Sequence, residues 1–473
     1  MAQQLCAKVA FQELRLRQAS PVLPLYADSF RCIGAACEDT CCQGWSVPID
    51  QAAYEKYRNL PASPLRTLID ASVLLTAKAD AEAGKKPVFA KIQMDDSNQC
   101  PLLTEGRLCR IQAELGEGLL SHACATYPRI VHGAGGTEEK SLTLSCPEAA
   151  RLVLLTPDLL AAGQSEKHPA EATEALATDK DEDSLPPNFR PIRKTVLALV
   201  KNRIYPLWQR LFLVDVLCRR LDSIAQGEPK RSVPDFLRDF EQTVATGALR
   251  AAMETLPLDP EAQLDVVLRL AGMLLHRSNI RPRFVECVQA FTAGIGNGPG
   301  ATLESLAARY SLAHDRFYEP FFNRHPHIME NYLINTIIRC QFPFGQEGMS
   351  ASAQPSHAQP SRSREFASLA AQFALMKGLL IGVAGFHGAA FSGAQVVHTV
   401  QAASKHFEHH PEFLKMAFEL LVESRMDGAR GLAILLRNAG PGIESNRPRP
   451  VSPAIHVPES RAPEPNPRAE HVK

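Results

Sequence analysis

The sequence predicts a mainly α protein: a cysteine-rich, metal-binding N-terminal module with loops and a small β-hairpin, followed by an α-helical bundle domain. Three observations carry this. Eight of the twelve cysteines fall between residues 32 and 146 of the 473. Apolar residues recur at helical spacing through much of the chain after residue 190. Almost no strand-like alternation appears beyond residue 150.

Residues 1–31 read as a lead-in ending in the extended PVLPLYADSF, and 32–160 as the cysteine module. Inside it, 50–59 (DQAAYEKYRN) reads as a short helix capped by Asp50, and 65–83 as a second helix. PVFAKIQM at 87–94 alternates well enough for a strand, with SLTLS at 141–145 as its candidate partner. Residues 161–191 are polar, acidic and proline-punctuated, the signature of a flexible linker. The helical domain is expected at 192–439. From 192 to 224, Ile204, Leu207, Trp208, Leu211, Val214, Cys218 and Leu221 recur at helical spacing, and Pro206 should interrupt them. Residues 261–275, 328–338, 366–383 and 413–421 repeat the pattern. A Ser/Pro-rich loop near 347–364 and a tail at 440–473 with eight prolines lack the apolar periodicity to order themselves.

Lys+Arg and Asp+Glu are 51 each, so the net charge is zero. A protein built to grip nucleic acid through its phosphates is usually basic, which argues against that class. The opening MAQQLCAKVAFQELRLRQAS has no apolar run of signal-peptide length. The apolar region at 375–391 carries Lys377, His387 and several glycines, and falls short of an uninterrupted membrane span. The expectation is a cytoplasmic protein without a membrane span. In a reducing compartment, clustered cysteines point to metal ligands or reactive thiols rather than disulfides.

The cluster opens with FRCIGAACEDTCCQGW, placing Cys32, Cys37, Cys41 and Cys42 at C-x4-C-x3-C-C. Cys100 and Cys109 follow at C-x8-C, then Cys124 in HACATYPR and Cys146 in LSCPEAAR. Gly34, Gly44, Pro101 and Pro147 let the backbone fold back around a centre. Thiolates converging from separate loops suit Zn²⁺ or an iron–sulfur cluster, and disfavour Mg²⁺ or Ca²⁺. The favoured ligand pool is Cys37, Cys41, Cys100, Cys109, Cys124 and Cys146, with Cys32 and Cys42 as weaker candidates. Adjacent side chains commonly diverge, so Cys41 and Cys42 should not both reach one centre. Cys6, Cys218, Cys287 and Cys340 stand apart as incidental or packing thiols. The C-x3-C-x2-C loop of radical enzymes is missing: Cys37 and Cys41 supply its first spacing, but Gly44 occupies the third position.

Several other residues have two readings. Tyr127 and Arg129 follow Cys124 closely and could orient or deprotonate a substrate and pair with a carboxylate, or simply pack. Glu38 and Asp39 could receive a cation, though turn capping is the ordinary role. His122 could join the ligands, but the thiols suffice. Trp45 is read as core before substrate cage. HGAGG at 132–136 is read as a turn, and the glycines of GLLIGVAG at 378–385 as close helix packing. Glu330, Asn331 and Asn335 on an apolar helix fit either buried hydrogen bonding or a substrate groove.

FRCIGAACEDTCCQGWSVPID, CPLLTEGRLCRIQAELGEGLLSHACATYPR and LSCPEAARLVL resemble successive blocks of the bacterial flagellin lysine-N-methylase family. HIMENYLINTIIRCQFPFG and QFALMKGLLIGVAG resemble its helical-domain signatures. The likeness covers roughly 25–155 and 190–425. It implies an S-adenosyl-L-methionine-dependent protein lysine N-methyltransferase acting on flagellin, with an iron–sulfur cluster of the 4Fe-4S type. Under this implication Tyr127 and Arg129 are the catalytic candidates. The alternative is a non-catalytic zinc- or iron-chelating module on a helical scaffold for protein interaction.

Overall fold

A computed structural model describes residues 25–45, 47–76, 88–133, 138–161, 186–227, 231–276, 280–345, 361–408 and 412–438. Cys6, the bulk of the acidic linker, the Ser/Pro-rich loop up to residue 360 and the proline-rich tail lie outside the described residues.

Two apolar cores organise the chain. The smaller runs from Val47 to Ile111 and is built on a three-stranded antiparallel sheet. Its strands β1 (Pro48–Ile49), β2 (Val73–Leu75) and β3 (Ala90–Ile92) stand in the order β1-β3-β2. Helices α1 (Gln51–Arg58) and α2 (Pro64–Ser72) pack beside it, followed by α3 (Arg110–Leu115) and α4 (His122–Thr126). Asp50 caps α1 as expected, accepting from the Ala53 amide, and its second oxygen accepts from the His122 amide at 2.8 Å. One carboxylate thus ties two helix starts together.

Two expectations are corrected here. The second helix stops at Ser72 rather than 83, because β-branched Val73 enters the sheet opposite Ile92. SLTLS does not pair with PVFAKIQM. β4 (Arg129–Gly133) pairs instead with β5 (Glu138–Leu142) as a local hairpin, and β3 takes β1 and β2. Local hairpin closure costs less loop entropy than the longer-range pairing. The HGAGG segment leads out of β4, and 134–137 lie outside the described residues.

The larger core is helical. It comprises α5 (Pro147–Leu155), α6 (Phe189–Lys201), α7 (Leu207–Ala225), α8 (Val233–Ala245), α9 (Leu249–Met253), α10 (Pro260–Leu275), α11 (Pro282–Gly294), α12 (Leu303–Ala313), α13 (Glu319–Arg324), α14 (His327–Arg339), α15 (Arg362–His387), α16 (Gly393–Phe407), α17 (Phe413–Glu423) and α18 (Ala429–Leu436). Pro206 separates α6 from α7, as its missing amide requires. No strand occurs after β5 among the described residues. This core also takes in Tyr26, Leu142, Leu144 and α5, so the end of the lead-in and the end of the cysteine-rich stretch pack with the helices.

At its centre runs α15. Its length and apolarity would suffice to cross a membrane, yet 89% of its most apolar window is buried against other parts of the protein. A Cβ on Gly382 would stand 2.7 Å from the Phe291 carbonyl oxygen, and one on Gly385 2.8 Å from that of Gly294. The glycines therefore permit the α11–α15 contact, as the close-packing reading expects. The helix starts where Asp222 of α7 accepts from the Arg362 and Ser363 amides, so 362–364 are helical despite their loop-like composition.

The polar residues of α14 are buried and bonded. Asn335 accepts from Tyr26 Oη and the Leu142 amide and donates to the Leu142 carbonyl. Asn331 donates to the Val153 and Thr156 carbonyls, and Glu330 pairs with Arg203 and Arg210. Cys218 and Cys287 are buried packing thiols, whereas Cys340 caps α14 half-buried.

Lys377, in mid-α15, donates to the Leu436 carbonyl and to Asn438 Oδ1. Burial pushes its pKa down to about 7. The unfolded lysine titrates near 10.4, so the cost of burying the ammonium is full below about pH 7 and fades toward pH 10. A Lys377→Met variant should lose ground against the parent as pH rises from 7 to 10. Urea denaturation across that window would show it, and a pH-independent difference would refute it.

Candidate metal centre

Five cysteines line one cavity of about 70 Å³: Cys41, Cys42, Cys100, Cys109 and Cys124. Each arrives from a different local device. Cys100 donates its amide to the Cys42 carbonyl at 2.8 Å, which lays the two segments side by side. Cys109 precedes the first turn of α3, and Cys124 sits on α4 below the Ser121 cap. The walls are otherwise apolar, with Val47, Ile49 and Ile92 from the sheet and the rings of Trp45, Tyr57 and Tyr127. Trp45 and Tyr127 stack with centroids 6.1 Å apart, and Trp45 Nε1 donates to the Cys41 carbonyl. Trp45 is thus core on one side and cavity wall on the other.

The expectation that Cys41 and Cys42 diverge is corrected. Their sulfurs lie 4.0 Å apart and both thiols face the cavity, because the loop crosses from the helical core to the sheet at this point. Cys42 therefore lines the cavity beside Cys41. Cys37, Cys146 and Cys32 are not among the cavity walls. Cys146 caps α5, Cys37 closes a 3-10 turn, and Cys32 is exposed.

Burial drives the thiols toward their neutral form. It pushes Cys100 and Cys146 up to about 12 and Cys124 up to about 11, and raises Cys109 and Cys37 as well. Cys41 is the exception, lowered to about 7 by the Cys42 thiol donating to it and, against its burial, by the Lys405 charge. A bound soft cation would reverse this penalty for the thiols that coordinate it, since coordination deprotonates a thiol.

The loop carrying Cys41 and Cys42 is clasped by α16. Lys405 Nζ lies 2.7 Å from Asp39 Oδ2 and 2.7 Å from the Thr40 carbonyl. Gln401, one turn earlier, donates to the same Asp39 oxygen and to the Ser145 carbonyl. Glu38 pairs with Arg151 of α5. Both acids therefore pair with cations of their own chain, and Asp39 Oδ1 also accepts from the Thr40 amide at 2.8 Å, a local turn bond of the expected kind. Beyond them, Gly44 lies under the Arg281 guanidinium with φ +90°, a conformation that strains any residue with a Cβ.

The remaining candidates divide. Tyr127 hydrogen-bonds Ser145 Oγ at 3.0 Å, and burial raises its phenol well above the ordinary range. Arg129 turns away from the cavity, donating to the Ala27 and Phe30 carbonyls and stacking over the Phe30 ring. His122 is exposed at the start of α4. Sequence reasoning missed Gln401 and Lys405. Their signal was present: two polar residues four apart, and so on one face, of a helix whose residues are mostly buried.

The fold and site define a helical protein with a thiol-lined cavity at the junction of its two cores. Residues 193–435, just over half the chain, match the family profile described as FliB lysine N-methylase C-terminal domain. The chain belongs to the FliB lysine N-methylase family. It is 32% identical over 149 residues to the flagellar biosynthetic protein FliU of Salmonella muenchen, covering 32% of this chain and 85% of the relative. It is 25% identical over 285 residues to the lysine-N-methylases of Salmonella typhimurium and Salmonella choleraesuis, covering 58% of this chain and 67% of each relative. No solved structure matches.

The Lys405 and Asp39 side chains are 9% and 14% exposed. Removing one partner leaves the other buried and unpaired, at a cost of about 3–5 kcal/mol. Lys405→Met should lower stability by that order, while Lys405→Arg recovers part of it. Denaturation of the two variants beside the parent checks this.

Proposed function

We propose that this chain is a cytoplasmic protein lysine N-methylase that modifies flagellin, using S-adenosyl-L-methionine and an iron–sulfur cluster held by the cavity thiols. Family membership supports lysine methylation, and the flagellar name of one relative and the methylase name of others support flagellin as substrate. The observation that carries the cofactor reading is the convergence of five soft donors on one apolar cavity.

The donor set fits such a cluster. Four sulfurs around one zinc at 2.3 Å would stand about 3.8 Å apart. Among the described residues, the three-donor set gathered within 4.8 Å is His314, Asp315 and Glu319, not the cysteines. Five thiols on one cavity are more donors than a single tetrahedral ion takes, which supports a polynuclear group. Four of Cys41, Cys42, Cys100, Cys109 and Cys124, or three with one iron left open, would hold it. When bound with an open iron, it would offer that site to the amino and carboxylate groups of the methyl donor.

The chain's own residues do the rest. The apolar wall excludes water, which strengthens every charge interaction inside. Trp45, Tyr57 and Tyr127 present aromatic rings along which a lysine stem can lie and a cationic amine can rest. The lysine is an ammonium at neutral pH, with a reference pKa of about 10.4, so a proton must leave before its nitrogen can attack a sulfonium methyl. Tyr127, one of the hydroxyl-bearing residues of the cavity wall, would orient that nitrogen.

Protein purified without oxygen should contain iron and acid-labile sulfide, show a visible absorption band, and methylate flagellin lysines. Stoichiometric zinc without sulfide, persisting after iron–sulfur reconstitution, would move the reading to a zinc-chelating scaffold. Cys100→Ser and Cys124→Ser should each lose most of the iron and the visible band, whereas Cys32→Ser should keep both. Equal iron in all three would refute the assignment.

A further inference from the structure

Behind Tyr127 stands a line of three further side chains. Tyr127 Oη lies 3.0 Å from Ser145 Oγ, and Ser145 Oγ lies 2.9 Å from Thr143 Oγ1. Thr143 Oγ1 in turn hydrogen-bonds Glu408 Oε2. The Glu408 side chain is 2% exposed, and Arg339 Nε lies 3.4 Å from its other oxygen. The line runs from the wall of the thiol cavity to a buried carboxylate at the C-terminal end of α16.

Counting the hydroxyl protons gives the line one consistent direction that ends on Glu408. An ionised carboxylate only accepts, so the single Thr143 proton goes to Glu408. Thr143 then accepts from Ser145, and Ser145 accepts from Tyr127. Every hydroxyl points its proton away from the cavity and toward Glu408. The lone pairs of Tyr127 Oη are left to accept from a donor on the cavity side. Burial holds the phenol protonated, so it can pass a proton on without persisting as a phenolate.

We propose that Tyr127, Ser145, Thr143 and Glu408 form a proton relay that takes the proton from the substrate lysine ammonium and delivers it to Glu408. The inference rests on the lysine N-methylase reading above. An ammonium N–H bond breaks as a Tyr127 O–H bond forms. The Tyr127 proton moves to Ser145, that of Ser145 to Thr143, and that of Thr143 to the Glu408 carboxylate. The freed nitrogen lone pair then forms the N–C bond to the sulfonium methyl, and the C–S bond breaks with its electron pair staying on sulfur. Tyr127 is the catalytic residue of the relay. Ser145, Thr143 and Glu408 act through it.

The test is methyl transfer to flagellin as a function of pH, with Glu408→Gln and Thr143→Val beside the parent and with iron, sulfide and thermal stability measured on each. Gln keeps the shape of Glu408 and can still accept from Thr143. At pH 7 each variant should lose about 100-fold in rate with its iron content unchanged. The loss should shrink as pH approaches the amine's own pKa of about 10.4, because the substrate then arrives deprotonated. A loss equal at every pH, or no loss, would overturn the relay while leaving the methylase reading intact. A parent that carries its full iron and sulfide yet never methylates flagellin would overturn the methylase reading, and the relay with it.

Discussion

The ion pair between Asp39 and Lys405 decides where the cysteine cavity can exist. Cys41 and Cys42 come from a loop of the sheet module, but their position is set by α16 of the helical core through Lys405 and Gln401. Cys100, Cys109 and Cys124 are held by the sheet module itself. The five cysteines line one cavity with the loop pinned to the helices and the other three held on the sheet module. A buried ion pair is weak as a source of net stability. Here its value is geometric: one carboxylate oxygen receives two donors from one helix face, which leaves the loop a single register.

The helical core is equally constrained at α15. A helix buried on all sides needs neighbours that approach its backbone closely, and Gly378, Gly382 and Gly385 provide the room against Val267, Phe291 and Gly294. α11, brought in this way, places Arg281 above Gly44 and its backbone amide against His406 of α16. The packing of the central helix therefore reaches the cysteine loop through one layer of side chains.

The same junction gathers a set of buried polar groups. Asp39, Ser145 and Thr143 all bond to residues of α16 or its C-terminal cap. Their burial has a common reason. Each is a polar group inside an apolar contact, and each must find its hydrogen-bond partner within the protein. A network completed this way orients every hydroxyl in it, which ordinary surface contacts do not.

Much of this was legible from the chain alone. The cysteine density marked the stretch whose residues line the cavity, helical periodicity marked α7, α10, α14, α15 and α17, and Asp50 and Pro206 announced their helix boundaries. These features are local: caps, breakers and apolar spacing act within a few residues. The sequence did not reveal that Val73 ends its helix, that SLTLS pairs with its own hairpin, that Cys41 and Cys42 face the same cavity, or that Arg129 turns away from it. Those outcomes depend on contacts between residues far apart in the chain, such as Asp39 with Lys405 and Thr143 with Glu408. Composition and spacing name the groups that can do chemistry. Only the packing of two cores against each other decides which of them meet, because burial forces distant polar groups to satisfy one another.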